Sequence, residues 1–177
     1  MFYVFPRAVK PEVCDQIVTD CKKNILKKAS VLNFDKTGRD NPEIRKTSIH
    51  FITEKDNKIN ELAWHFLREA NKKQFNYDLT FFQAIQFAEY RTNDFFGWHQ
   101  DASWIDPDTF EGGELQFFNG DRPMEDMGEI TGKQVQQDIQ AQGTIIVFDS
   151  RDWHRVTPLE SGTRHSIVCW CVGGNFK

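Results

Sequence analysis

This sequence predicts a mostly β, α+β fold: an antiparallel sandwich or barrel braced on one face by N-terminal helices. Three observations lead there. Two amphipathic helical stretches come first in the chain. From about Leu79 onward, short runs rich in Val, Ile, Phe and Trp follow one another, separated by Gly, Asp, Asn and Pro. Within two of those runs, Thr80 to Tyr90 and Arg164 to Val172, alternate positions leave neither face wholly polar, so both faces must be covered.

Taken in order, Phe2 to Pro6 reads as a short edge strand. Pro11 sits at a helix start, and Val13, Cys14, Ile17, Val18 and Cys21 recur at helical spacing. Lys22, Lys23, Lys27 and Lys28 read as a solvated basic face, also at helical spacing. Gly38 to Pro42 is a loop by composition, and Ser48 to Thr53 a strand. Asn57 to Asn71 is the second helix, with Ile59, Leu62, Ala63, Phe66 and Leu67 on its apolar face. The strand series is Thr80 to Tyr90, Phe95 to Asp101, Glu114 to Phe118, Val135 to Gln140, Thr144 to Phe148, Trp153 to Thr157 and Arg164 to Val172. Asn119 to Lys133, polar and acidic, is expected to be a surface excursion. The expected division is one domain over 1–177, with a helical support region at 1–78 and the β core at 79–177.

Composition narrows the function classes. A chain of 177 residues suits one domain with a sizeable core. With 39% hydrophobic and 27% charged residues, it is neither a disordered nor a membrane composition. The longest apolar runs, Thr144 to Phe148 and Ile167 to Val172, fall far short of a bilayer span. Met1 to Phe5 lacks a basic leader and a cleavage site, so no signal peptide is expected. Cys14, Cys21, Cys169 and Cys171 make no Cys-x-x-Cys pair and read as reduced thiols in a cytoplasmic protein. A net charge of −4 and a pI near 5.7 argue against a nucleic-acid partner.

The chemistry concentrates in Gly97-Trp98-His99-Gln100-Asp101. His99 and Asp101, two apart on a strand, project from one face and offer an imidazole nitrogen and a carboxylate oxygen to one point. His154 is the candidate third ligand. Two His and one carboxylate form the facial triad of non-haem iron(II) oxygenases, which leaves three positions open for co-substrate and dioxygen. His-x-Asp alone is common by chance, and His50 and His65 read as ordinary polar residues. The C-terminal third adds weight. Trp153-His154-Arg155-Val156-Thr157-Pro158 leads into Gly162-Thr163-Arg164-His165-Ser166, which sets Arg164 one hairpin beyond His154. A guanidinium there can grip the far carboxylate of a metal-bound dicarboxylate through paired charge-assisted hydrogen bonds, with Ser166 on the same face. His165 has the opposite parity and should point away.

Together these motifs resemble the Fe(II)/2-oxoglutarate dioxygenases of the prolyl 4-hydroxylase-like group, particularly the small PKHD-type hydroxylases. Glu111-Gly112-Gly113-Glu114-Leu115 matches that group's Gly-Gly-Glu motif. The resemblance implies a double-stranded β-helix (jelly roll), with Tyr90 against the 2-oxoglutarate and Trp170 on the substrate side. It implies iron(II) as the metal, 2-oxoglutarate and dioxygen as co-substrates, and ascorbate as reductant. It implies hydroxylation of a C–H bond, with a peptidyl proline as the expected target, a protein or peptide as partner, and release of succinate and carbon dioxide. Two departures stand out: animal and plant prolyl 4-hydroxylases usually carry Lys where Arg164 stands, and many carry Thr where Leu115 stands.

Competing readings are a hydroxylase of a free amino acid or other small molecule, an AlkB-type demethylase, and a non-catalytic jelly-roll module. The demethylase pattern places Arg where this chain has Trp170. Trp104, in the Ala102 to Phe110 stretch, is either part of a lid over the mouth or a half-exposed surface residue. Arg155 and Arg91 neighbour the site strands, and either contact substrate or make surface salt bridges.

Overall fold

The computed structural model describes residues 2–24, 26–28, 31–32, 38–39, 42–52, 57–101, 115–118 and 141–173. The chain starts with β1 (Phe2–Phe5) and enters α1 (Pro11–Cys21) with proline in the first turn, where a missing N–H costs nothing. The helix stops after Cys21, and the Lys22 N–H closes its last turn on Val18 O. Five short strands follow: β2 (Lys27–Lys28), β3 (Val31–Leu32), β4 (Gly38–Arg39), β5 (Arg45–Lys46) and β6 (Ser48–Phe51). Helix α2 (Asn57–Ala70) continues as a π-helical turn, Asn71–Phe75, which Asn76 ends in the left-handed region at φ 56°. The Asn71 side chain secures that exit, bonding both the N–H and the C=O of Tyr77. The remaining strands are β7 (Leu79–Arg91), β8 (Phe95–His99), β9 (Leu115–Phe118), β10 (Ile145–Phe148), β11 (Trp153–Val156) and β12 (Thr163–Gly173).

Two four-stranded antiparallel sheets result, ordered β5-β8-β11-β9 and β12-β7-β6-β2, with β1-β10 and β3-β4 as separate pairs. The chain passes from one sheet to the other between β5 and β6, and at that corner Thr47 Oγ1 donates to Glu89 O at 2.9 Å. The core draws on both sheets: Ile49, Ala88 and Tyr90 from one, Phe96 and Val156 from the other, with Leu159 beside them. The β7–β8 turn is locked locally. Asn93 sits at φ 68°, and the Asp94 carboxylate accepts the Arg91 N–H and pairs with Lys46. No helix among the described residues is long and apolar enough to cross a membrane.

The mostly β architecture with N-terminal helices matches expectation, with differences in detail. The four lysines do not share a helical face, because α1 ends before them. Lys27 and Lys28 lie in β2 against β6, and Lys22 pairs with the buried Glu89. Gly38 and Arg39 are strand rather than loop, paired with β3. The region before Leu79 contributes more than helices, since β2, β5 and β6 complete the two main sheets. The expected strand Val135 to Gln140, the excursion Asn119 to Lys133 and the stretch Ala102 to Phe110 lie outside the described residues.

Among the described residues, two glycines take the left-handed conformation, and they differ in surroundings. A Cβ on Gly143 (φ 79°) would fall 1.9 Å from Val9 O, whereas one on Gly162 (φ 84°) would meet nothing within 4 Å. Val9 N donates to Gly143 O at 2.9 Å, so the close approach is part of how α1's lead-in docks on β10. Gly162→Ala should therefore cost about 1 to 2 kcal/mol, the conformational strain alone, and Gly143→Ala distinctly more. Urea unfolding of both variants checks the difference.

Candidate metal centre

The register of β8 and β11 sets His154 opposite His99 across an antiparallel pair. Asp101 lies two residues beyond His99, past the end of β8, and its N–H donates to Ser150 O at 2.7 Å. The turn before β11 thus holds Asp101 on one side and delivers His154 on the other. That turn is itself clasped: Tyr77 Oη donates to Asp149 at 2.5 Å, and Arg151 Nη2 bonds Asp149 at 2.6 Å.

His99 Nε2 lies 3.7 Å from Asp101 Oδ1, and His154 Nε2 lies 3.6 Å from Asp101 Oδ2. One donor atom from each residue falls within 4.8 Å of the others, so the three could hold a metal ion. Each imidazole is oriented by a backbone carbonyl. His99 Nδ1 donates to Gly97 O and His154 Nδ1 to Asp152 O, both at 2.8 Å. A carbonyl only accepts, so Nδ1 carries the proton and Nε2 presents its lone pair to the site. Phe96 stacks on His99 at 3.6 Å between centroids, and Phe148 meets His154 edge-on at 4.8 Å.

The electrostatics agree with a ligand role. Burial, then the neighbouring His154, holds His99 well below the usual imidazole pKa. Burial lowers His154 against the opposing charge of Asp101. Burial also raises Asp101, against His154 and a hydrogen bond from Trp170. Both imidazoles are therefore neutral at neutral pH, the form that binds a metal.

The C-terminal strand supplies the rest of the expected site. Arg164 pairs with Tyr90, and Ser166 with Ala88, across β12 and β7. Arg164 is buried with its guanidinium 5.5 Å from the centroid of the fully buried Tyr90 ring, and burial presses its pKa well down. Trp170, on the same face, donates from Nε1 to Asp101 Oδ2 at 3.3 Å. His165 points the other way, as parity requires, to Glu89 at 3.2 Å and the ring of Phe87. Arg155 stands apart from the ligands. Its guanidinium covers Trp98 at 4.8 Å and its Nε donates to Gln116 at 2.8 Å, on the sheet face opposite His154. Trp104 and the Glu111 to Glu114 motif lie outside the described residues, while Leu115 is buried in β9.

One buried residue escaped the sequence reading. Arg45 is 2% exposed, hydrogen-bonded to Gln86 at 3.1 Å and 4.8 Å above the Phe96 ring that stacks on His99. Burial pushes its pKa down to about 10, opposed by Tyr90 and Asp101. A period-2 signal was present: Arg45, Thr47 and Ile49 are buried, and Lys46 between them is exposed.

Two antiparallel sheets that bring together two imidazoles and a carboxylate make a double-stranded β-helix with a candidate metal centre. Residues 85–172, just under half of the chain, match the 2OG-Fe(II) oxygenase superfamily, and the match spans His99, Asp101 and His154. Among solved structures it is similar to a prolyl-4-hydroxylase of Pseudomonas putida, with a TM-score of 0.66 and 19% identity over 96% of this chain and 91% of that one. It is similar to a 2OG-Fe(II) oxygenase family oxidoreductase of Burkholderia pseudomallei, at 0.65 and 16% over 98% and 87%. It is also similar to a Trichoplax adhaerens prolyl hydroxylase in complex with a hypoxia inducible factor oxygen degradation domain peptide fragment, at 0.68 and 14% over 97% and 83%. No curated protein matches the sequence significantly.

Removing any one ligand should abolish tight metal binding. His99→Ala, Asp101→Ala and His154→Ala should fail to retain iron(II) in anaerobic equilibrium dialysis, while His50→Ala and His65→Ala retain it. The clasp makes a pH prediction. The Arg151 hydrogen bonds hold Asp149 well below the usual carboxylate range. A lowered pKa adds stability that is complete above the unfolded value, about 3.9, and is lost as pH falls through the folded one. The stability gap between wild type and Asp149→Asn should be present at pH 6 and narrow progressively as pH falls from about 4 toward the folded value, and thermal melts from pH 6 down to about pH 2 measure it. Arg151 is 53% exposed, so solvent screening keeps the gap modest.

Proposed function

We propose that this protein is an iron(II)- and 2-oxoglutarate-dependent dioxygenase that hydroxylates a prolyl residue in a peptide. The observation that carries the reading is the layout of one face of β12. Arg164 and Trp170 bracket a stretch of roughly 20 Å at 3.3 Å per residue, with Trp170 reaching the Asp101 carboxylate and Arg164 beside Tyr90. Arg164 supplies a cation for the far end of a dicarboxylate whose near end would meet the metal ligands.

In this reading His99, Asp101 and His154 hold iron(II) through Nε2, a carboxylate oxygen and Nε2. Iron(II), when bound, supplies the redox chemistry that couples oxidative decarboxylation of 2-oxoglutarate by dioxygen to C–H hydroxylation. Arg164 binds the distal carboxylate through paired N–H donors, with Ser166 and the Tyr90 hydroxyl beside it. The apolar walls, Phe96, Phe148 and Phe117, keep the reacting centre dry. Trp170 lies on the opposite side of the metal ligands from Arg164, where a substrate ring would enter. A peptide target is supported by the Trichoplax adhaerens enzyme, whose structure holds a peptide fragment. A prolyl peptide in extended form docks at low entropic cost. Ascorbate as reductant belongs to the same proposal.

With iron(II) and 2-oxoglutarate under anaerobic conditions, the protein should develop a weak visible charge-transfer band that neither gives alone. Arg164→Ala should weaken 2-oxoglutarate binding on the order of ten- to a thousand-fold, the cost of a charge-assisted bidentate contact. Unchanged affinity by isothermal titration would remove Arg164 from the site. Turnover with a panel of prolyl peptides and free amino acids, read by mass spectrometry for a gain of one oxygen, decides the substrate. Oxygen gained by a free amino acid and by none of the peptides would overturn the prolyl assignment.

A further inference from the structure

We infer that Trp170 is a positioning residue: its indole N–H holds the Asp101 carboxylate in single-oxygen coordination, which keeps three metal positions open. The inference rests on the dioxygenase reading above and adds a role for one hydrogen bond.

The three ligands are not held alike. Each imidazole is fixed by a short Nδ1 bond to a carbonyl of its own segment. Asp101 has left the β8 ladder, and its backbone N–H fixes only the main chain, against Ser150 O. Its carboxylate can still rotate about the last side-chain bond. Among the described residues, the hydrogen bond that fixes this rotation comes from Trp170 Nε1 to Oδ2, at 3.3 Å. The carboxyl side chain is 5% exposed, so little water competes for that oxygen.

Fixing the rotation has a chemical consequence. A carboxylate facing a metal squarely binds through both oxygens, and turned by a hydrogen bond on one oxygen it binds through the other. Chelation by Asp101 would fill one of the three positions that a bidentate 2-oxo acid and dioxygen need. Oδ1 faces His99 Nε2 at 3.7 Å, and Oδ2, engaged by the indole, lies 3.6 Å from His154 Nε2. The two oxygens therefore face different neighbours, and the N–H singles out one of them. The backbone supports this aim. The β12–β7 register shifts directly after Trp170, between Trp170 and Cys171, an irregularity of the kind that redirects a side chain near a site. A wall for substrate could be Phe or Tyr, but only an indole combines a flat face with an N–H at this reach.

The test compares wild type, Trp170→Phe, and a variant carrying 3-benzothienylalanine at position 170, which keeps the indole's shape and replaces its N–H by sulfur. Cobalt(II) is the probe. Its anaerobic binding is measured by dialysis, its coordination by the visible d–d spectrum, and 2-oxoglutarate binding to the cobalt-loaded protein by titration calorimetry. Loss of the N–H should weaken cobalt binding about ten- to a hundred-fold, as outer partners of metal ligands do. It should also change the d–d spectrum and weaken 2-oxoglutarate binding to fully loaded protein. An isostere that matches wild type in all three overturns the inference and leaves Trp170 as a packing residue. If Trp170→Phe loses its folded circular dichroism, the shape-preserving isostere alone decides. A wild-type protein that binds cobalt but no 2-oxoglutarate overturns the dioxygenase reading instead, and the cobalt affinity of the isostere still judges Trp170.

Discussion

The site depends on one register, the antiparallel pairing that sets His154 opposite His99. A strand's side chains alternate between faces, so a slip of one residue would turn His154 outward and bring Arg155 in. The register is fixed from both ends. On the inner face Val156, Phe96 and Phe117 fill the core around the histidine. On the outer face Arg155 lies over Trp98 and bonds Gln116, which would be stranded in the interior by a slip. The candidate ligands His99 and His154 are thus positioned by packing on both sides of one sheet.

Burying polar groups is the cost of such a site, and most of the surrounding structure answers it. An unsatisfied buried polar group costs on the order of 1 to 3 kcal/mol. The imidazoles donate Nδ1–H hydrogen bonds to the carbonyls of Gly97 and Asp152, both supplied by the same short segments that carry the ligands. On the outer side of β7, Glu89 is buried and bonds Arg91, His165 and Lys22. Burial alone would raise its pKa, but these partners bring it below the ordinary value. That cluster ties the end of α1 to β7 and β12, so the helices brace the sheet through charge as well as apolar contact.

Two arginines reach the interior from different directions. Arg164 comes from β12 and Arg45 from β5, and both lie near Tyr90. The Arg45 guanidinium lies over the Phe96 ring that stacks on the His99 imidazole, so the second arginine reaches the ligand side of the interior through that ring. Two cations thus gather at the Tyr90 ring, while the Trp170 indole bonds the Asp101 carboxylate.

Much of this was readable before any coordinates. Strand alternation alone separated Arg164 from His165 and put Tyr90, Ser166 and Trp170 on the Arg164 face of the sheet, because side-chain direction on a strand has a fixed period of two. The pair His99 and Asp101 was read by the same rule, but β8 ends at His99 and Asp101 is held beyond it by Ser150. Long-range partners were different. Arg45 drew no reading from the sequence despite its alternation with Thr47 and Ile49, since the contacts that bury it come from Gln86 and Phe96 on distant strands. Lys22 looked solvated until β7 brought Glu89 to it. Trp170 could be placed on the right face, but not aimed at Asp101, because that contact crosses between sheets and depends on a register shift. The sequence determined which residues face inward, since that is local geometry. Only the tertiary structure decided which of them meet, since a meeting depends on the register between distant strands.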